Sequence, residues 1–176
     1  MRMKQPLLKA ALLIFCWLGL PACGYHTSAR NGLPESVHTI AVPAFTNQTQ
    51  TYRVEQLLTA AVVREFVSRT KFRILNERTD DADATLQGAV VGTQLAPLTF
   101  DSQTGRASTA LVTVTVRVSL VDRGGKVLFD NQHWTFREQY QVSRELSSFF
   151  EEDAPAMDRL SRDFARALVS NILEAY

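Results

Sequence analysis

The chain has 176 residues, with 19 Lys and Arg against 18 Asp and Glu, three His and two Cys. So even a charge balance argues against a nucleic-acid binder that works by neutralising phosphates, though not against a local basic patch. The two cysteines, Cys16 and Cys23, lie on either side of a predicted cleavage point, so no intramolecular disulfide is expected in the mature chain.

Residues 1–22 open with Arg2, Lys4 and Lys9, continue through an apolar core over 10–20 and end in small residues before Cys23. This is the pattern of a secretory signal. The apolar stretch 7–20 is only 14 residues and contains Lys9, whereas a spanning helix needs about 20. Leu20-Pro21-Ala22-Cys23 resembles a bacterial lipobox, with Pro21 an unusual middle residue, and predicts acylation at Cys23. Several acyl chains exceed what stable membrane anchoring requires. Gly24 resembles the residue that follows the cysteine in outer-membrane cargo; the inner-membrane retention signal uses aspartate there. Removal of 1–22 leaves 154 residues, with 16 basic against 18 acidic, enough for one domain with a sizeable core.

Residues 23–35 form a polar tether punctuated by Asn31-Gly32 and Pro34, and 36–176 a single domain. Residues 36–43 read as a strand centred on Val37, Thr39, Ile40, Ala41 and Val42 and ended by Pro43, followed by a turn over 45–49. Apolar residues at Val54, Leu57, Leu58, Ala61, Val62 and Phe66 then predict an amphipathic helix over 52–70, with Glu55, Gln56, Arg64 and Arg69 on its solvated side. Residues 72–75 read as a short strand before the acidic turn 76–81. A further strand over 85–95 places Leu86, Gly88, Val90 and Gly92 on one side, where the glycines admit a close neighbour. Residues 96–107 read as a loop that is long for a hairpin.

The strongest local signal is 110–120. Ala110, Val112, Val114, Val116, Val118 and Leu120 alternate with Thr113, Thr115, Arg117 and Ser119, and only Leu111 breaks the polar side. Period two with β-branched residues demands a strand with one packed and one polar face. A Gly-Gly turn at 122–126 joins it to an antiparallel arm over 127–140, in which Leu128, Trp134, Phe136 and Tyr140 share a side and Asp130 and Gln132 imply a bulge or exposure midway. After a polar link over 142–152, Asp153 and Pro155 begin a helix whose stripe is Met157, Leu160, Phe164, Leu168 and Ile172. The expected fold is an α/β (α+β) two-layer sandwich: a mixed, mostly antiparallel sheet of about four strands with two helices on one face.

Catalytic chemistry has little support. His26, His38 and His133 lack metal-ligand spacing, no glycine loop precedes a helix, and the acidic clusters 80–81 and 151–153 fit turn solvation and a helix dipole. No enzyme, no metal and no cofactor beyond the lipid on Cys23 are expected.

Cys23-Gly24-Tyr25-His26, Ile40-Ala41-Val42-Pro43 before a helix, Gly105-Arg106 before the valine–threonine strand, Leu120-Val121-Asp122 with its Gly-Gly turn, and Phe136-Arg137-Glu138-Gln139-Tyr140, in that order, resemble the LptE family of outer-membrane lipoproteins. The resemblance implies a non-enzymatic partner and plug of the β-barrel translocon LptD that assists lipopolysaccharide assembly at the cell surface. Thr113, Thr115, Arg117 and Ser119 could then face the polar lumen of the barrel, or be an ordinary solvated sheet face. Lipopolysaccharide phosphates call for cations, which Arg106 offers at one end of the central strand and Arg123 with Lys126 at the other, roughly 50 Å away. The alternative reading is an outer-membrane lipoprotein that regulates a peptidoglycan synthase or forms part of a curli-type secretion channel.

Overall fold

The structure is a computed structural model that describes residues 33–142 and 153–175. The chain runs β1 (Thr39–Ala41), β2 (Thr46–Asn47), α1 (Val54–Arg69), β3 (Arg73–Leu75), β4 (Ala84–Phe100), β5 (Ala107–Asp122), β6 (Val127–Gln141) and α2 (Asp153–Glu174). The strands make one sheet in the order β3-β1-β4-β5-β6, with β2 joined to β4 as well. β1 is parallel to both neighbours and β2 is parallel to β4, while β4, β5 and β6 form an antiparallel meander. The α+β sandwich is the expected class, but the described residues form six strands rather than about four. One of them, β2, occupies part of the segment read as a turn.

The valine face of β5 is buried throughout: Val114, Val116, Val118 and Leu120 are fully enclosed, and Ala110 and Val112 nearly so. Both helices cover it. From α1 come Val54, Leu58, Ala61, Val62 and Phe66, and from α2 Met157, Leu160, Phe164, Leu168 and Ile172. Leu57, expected in the buried stripe, is 40% exposed. It lies about 100° around the helix from Leu58, past the margin of the packed face. Phe164 is the hub of an aromatic cluster, meeting Phe136, Trp134 and Phe45 edge-on at centroid distances of 5.2, 6.2 and 6.3 Å. Leu33, at the end of the expected tether, already packs into this core.

Three departures from regular pairing correct or confirm the sequence reading. Residues 96–107 are not a long loop: β4 continues to Phe100, β5 resumes at Ala107, and only a tight turn remains. Asp101 Oδ1 accepts N–H bonds from Gln103 and Thr104 at 3.0 and 2.9 Å, and Gly105 supplies the positive φ of 66°. Pro97 is tolerated because β4 has no strand on its other side at that level, so its missing N–H costs no ladder bond. In β4 the register shifts between Val90 and Gly92, so Gly88 lies opposite Val118 while Gly92 lies opposite Thr115. The two glycines therefore face opposite ways. Gly88 admits the ring of Phe45, whose atoms lie 2.5–2.6 Å from where a Cβ would stand. In β6, Trp134 pairs with Val116 and Asn131 with Val118, leaving Gln132 and His133 opposite Arg117 alone, which is the bulge the polar interruption implied. Residues 1–32, with the acylation residue Cys23, and 143–152 of the polar link lie outside the described residues.

Candidate functional surface

Because both helices pack on the valine face, the other side of the sheet is left open among the described residues. Thr113, Thr115 and Ser119 are half-buried there by their strand neighbours, and Arg117 is exposed. Thr113 pairs with Gln94 and Arg137, Thr115 with Gly92 and Thr135, and Ser119 with Gln87 and Asp130. The Thr115 and Thr135 hydroxyls approach to 3.3 Å. The result is a surface of hydroxyl, amide and guanidinium groups on a backbone fixed by ladders on both sides.

The cations proposed from sequence are not brought together. Arg106 is exposed in the β4–β5 turn, while Arg123 and Lys126 occupy the β5–β6 turn at the far end of the 16-residue strand β5, roughly 50 Å away at the usual rise. Arg123 has a structural engagement. Its Nε donates to the Ala82 carbonyl at 3.2 Å, its Nη2 to Asp83 Oδ1 at 3.3 Å, and its backbone N–H to the Asp83 carbonyl at 2.9 Å. Asp83 in turn accepts the backbone N–H groups of His38 and Thr39 at 3.0 and 2.9 Å. Those two hydrogen bonds hold its carboxyl below the usual value of 3.8 against the opposing effect of burial, with lesser help from the Arg123 charge. The β5–β6 turn is thereby tied to the start of β1. Lys126 uses its backbone N–H to cap Asp122 Oδ1 at 2.8 Å.

Two features went unread in the sequence. The far half of β4 exposes Leu95, Leu98 and Phe100, at 61, 45 and 62%. The sequence reading ended this strand at Leu95, and Pro97 masked its continuation through Leu98 and Phe100. On the open face, a groove of about 420 Å³ has Arg78 and Arg117 in its walls. Arg78 sits in what read as an acidic turn, and no local pattern links it to a residue 39 positions on. Among the described residues, no group of three His, Cys, Asp or Glu is placed to hold a metal ion.

Residues 37–172 match the family model described as LptE, lipopolysaccharide-assembly. No curated sequence matches. Among solved structures, lipoprotein B of Nitrosomonas europaea aligns with a TM-score of 0.54 at 11% identity, over 77% of this chain and 82% of that one. A Caulobacter crescentus lipoprotein gives 0.51 at 12% identity, over 75% and 88%, and rare lipoprotein B of Shewanella oneidensis gives 0.50 at 10%, over 76% and 92%. At these identities the structures share a fold and nothing finer. The family match runs from the residues before β1 to near the end of α2, so it takes in both helices and the whole sheet, and on that ground the chain belongs to the LptE family of lipopolysaccharide assembly.

Proposed function

We propose that this chain is a non-enzymatic outer-membrane lipoprotein, acylated at Cys23 and held on the periplasmic side, that seats in the lumen of an LptD-type β-barrel. There it acts as plug and assembly factor and assists passage of lipopolysaccharide to the outer leaflet. The observation that carries this reading is the one-sided cover of the sheet, which leaves Thr113, Thr115, Arg117 and Ser119 as a rigid polar face. Barrel lumens are polar, so such a face suits one without desolvating apolar groups. The exposed Leu95, Leu98 and Phe100 support contact with a partner as well, since apolar side chains gathered on one strand mark interaction sites. Of the cations first considered as lipopolysaccharide contacts, Arg106 is the one we retain, because Arg123 is already bonded to Asp83 and Ala82.

The test is a photocrosslinking amino acid at position 115 in cells, with position 64 on the outer side of α1 as comparison, and identification of what is captured. A large outer-membrane barrel captured from 115 supports the plug. Capture of a peptidoglycan synthase, or of a ring of its own copies, would replace it with the regulatory or secretion-channel reading.

A further inference from the structure

A sheet edge invites another strand unless something keeps it away, and charge is the usual device. The two ends of this sheet carry it: Arg73 on β3, and Asp130, Arg137 and Glu138 on β6. A third stretch of edge lies within the strand order. β1 and β2 occupy the outer side of β4 at Ala84–Thr85 and Ala89–Val90, and from 92 to 100 no strand among the described residues pairs with that side. This run holds no charged residue, and Leu95, Leu98 and Phe100 on it are exposed. The register irregularities on either side of Thr99 confine the regular part to 92–97 but leave it uncovered.

Which backbone groups point outward there follows from one bond. Val142 donates its N–H to the Ser108 carbonyl at 3.0 Å, so Ser108 turns its backbone toward β6. Backbone groups alternate along a strand, so Ala110 and Val112 also turn to β6, while Leu111 and Thr113 bond to their partners Ala96 and Gln94 on β4. Thr93, Leu95 and Pro97 are therefore the residues whose backbone faces away from β5. Leu95 offers an N–H and a carbonyl on that side, whereas Pro97 offers a carbonyl and, in place of an N–H, its ring.

From this we infer that the outer edge of β4 is a latent interface to a second copy of this chain, held shut by Pro97. Two such edges are self-complementary: related by a two-fold axis they run antiparallel, neither brings a charge, and their exposed apolar side chains would gather on one another. Any register that pairs the run from Thr93 to Pro97 sets a residue of the second copy across from Pro97, where its carbonyl meets the ring instead of an N–H. One bond is lost and one acceptor left unpaired, and the two-fold axis repeats the loss in the other copy. The proline thus does at this edge what charges do at β3 and β6.

The experiment is sedimentation equilibrium of the full-length chain in density-matched detergent, with amide exchange followed residue by residue. We expect the wild-type chain to be monomeric. Pro97→Thr and Pro97→Ala, which restore the N–H, should each raise self-association by about tenfold or more, as expected when two backbone hydrogen bonds become available across the two-fold axis. In that dimer the Leu95 amide should be protected from exchange, and adding Leu95→Lys to either variant should restore the monomer by bringing like charges together. Pro97 makes no ladder bond, so the melting temperature of either dilute variant should fall by no more than about 4 °C, through the freedom that the ring denied the unfolded chain. Variants that remain monomeric overturn the inference, and so does wild-type self-association equal to theirs. A dimer whose Leu95 amide exchanges as fast as in the monomer would be apolar adhesion without strand pairing, and overturns it as well. So does a larger melting loss in both variants, which would make the proline a support of its own hairpin. None of these outcomes touches the plug, whose test at position 115 reads the open face.

Discussion

Adding one methyl group at Gly88 and one at Gly92 tests the packing of β4 most directly, because the strand sends the two positions to opposite faces. At 88 the new Cβ would stand 2.5–2.6 Å from three ring carbons of Phe45. That ring is 3% exposed and is wedged edge-on against Phe164, so it cannot swing away without disturbing the aromatic cluster. Overpacking of this kind costs about 1–3 kcal/mol. At roughly 2–4 °C per kcal/mol for a domain of this size, Gly88→Ala should melt about 2–12 °C below wild type. At 92 the nearest atom would be Thr115 Cβ at 3.6 Å, an ordinary contact. Gly92→Ala should therefore be neutral or gain about 0.4–1 kcal/mol by restricting the unfolded chain. Thermal and urea unfolding of the full-length chain measures both. Phe45→Leu provides the third corner: combined with Gly88→Ala it should lose less than the sum of the single variants, with a coupling of about 0.5–3 kcal/mol. Equal shifts for the two glycine variants, or no coupling to Phe45, would refute the placement of the ring.

Val116→Asp would bury an unpaired charge in a fully enclosed site and should cost more than about 4 kcal/mol, whereas Thr115→Asp on the open face should stay within about 1 kcal/mol; equal melting losses would disprove one-sided cover. Asp83 has a lowered pKa in the folded chain, so its contribution is complete above the unfolded value near 3.8 and disappears as pH falls below that through the folded value. Acid unfolding of Asp83→Asn should accordingly lack that part of the pH dependence, and an unchanged acid limb would show the carboxylate to be idle. Cys23→Ser should abolish incorporation of labelled fatty acid and release the protein from washed membranes; a variant that remains membrane-bound and uncleaved would contradict acylation as the anchor.

What could be read from the sequence was what depends on local repetition. The alternation from Ala110 to Leu120 and the stripe from Met157 to Ile172 each carry their own period, and both faces came out as read. Period counting presupposes an unbroken ladder, so the extra residue at Val91 inverted the expectation for Gly92. Pro97 and Gly105 resemble loop composition, but a proline at an open strand edge and a glycine in a tight turn are compatible with a long hairpin. The surface was less legible than the core. The pairing of Arg123 with Asp83 spans 40 positions and the meeting of Arg78 with Arg117 spans 39, and side-chain neighbours at such separations are set by strand order.

The far half of β4 has a consequence for how the molecule opens. From Gln94 to Phe100 its residues are mostly exposed, and β5 is their one strand neighbour. Apart from the ladder itself, that end is joined by short hydroxyl contacts from Thr99 to Ser108 and Thr109, at 2.7 and 2.6 Å. Separating it breaks few apolar contacts, so its amides should exchange through small local openings, while those around Leu86 and Val90, roofed by both helices, should exchange only when the whole domain unfolds. The sheet is thus graded along its length: the pliant end carries Leu95, Leu98 and Phe100 and can adjust to whatever it meets, and the stiff end holds Gln87, Arg117 and Ser119 on a backbone laddered to its neighbours.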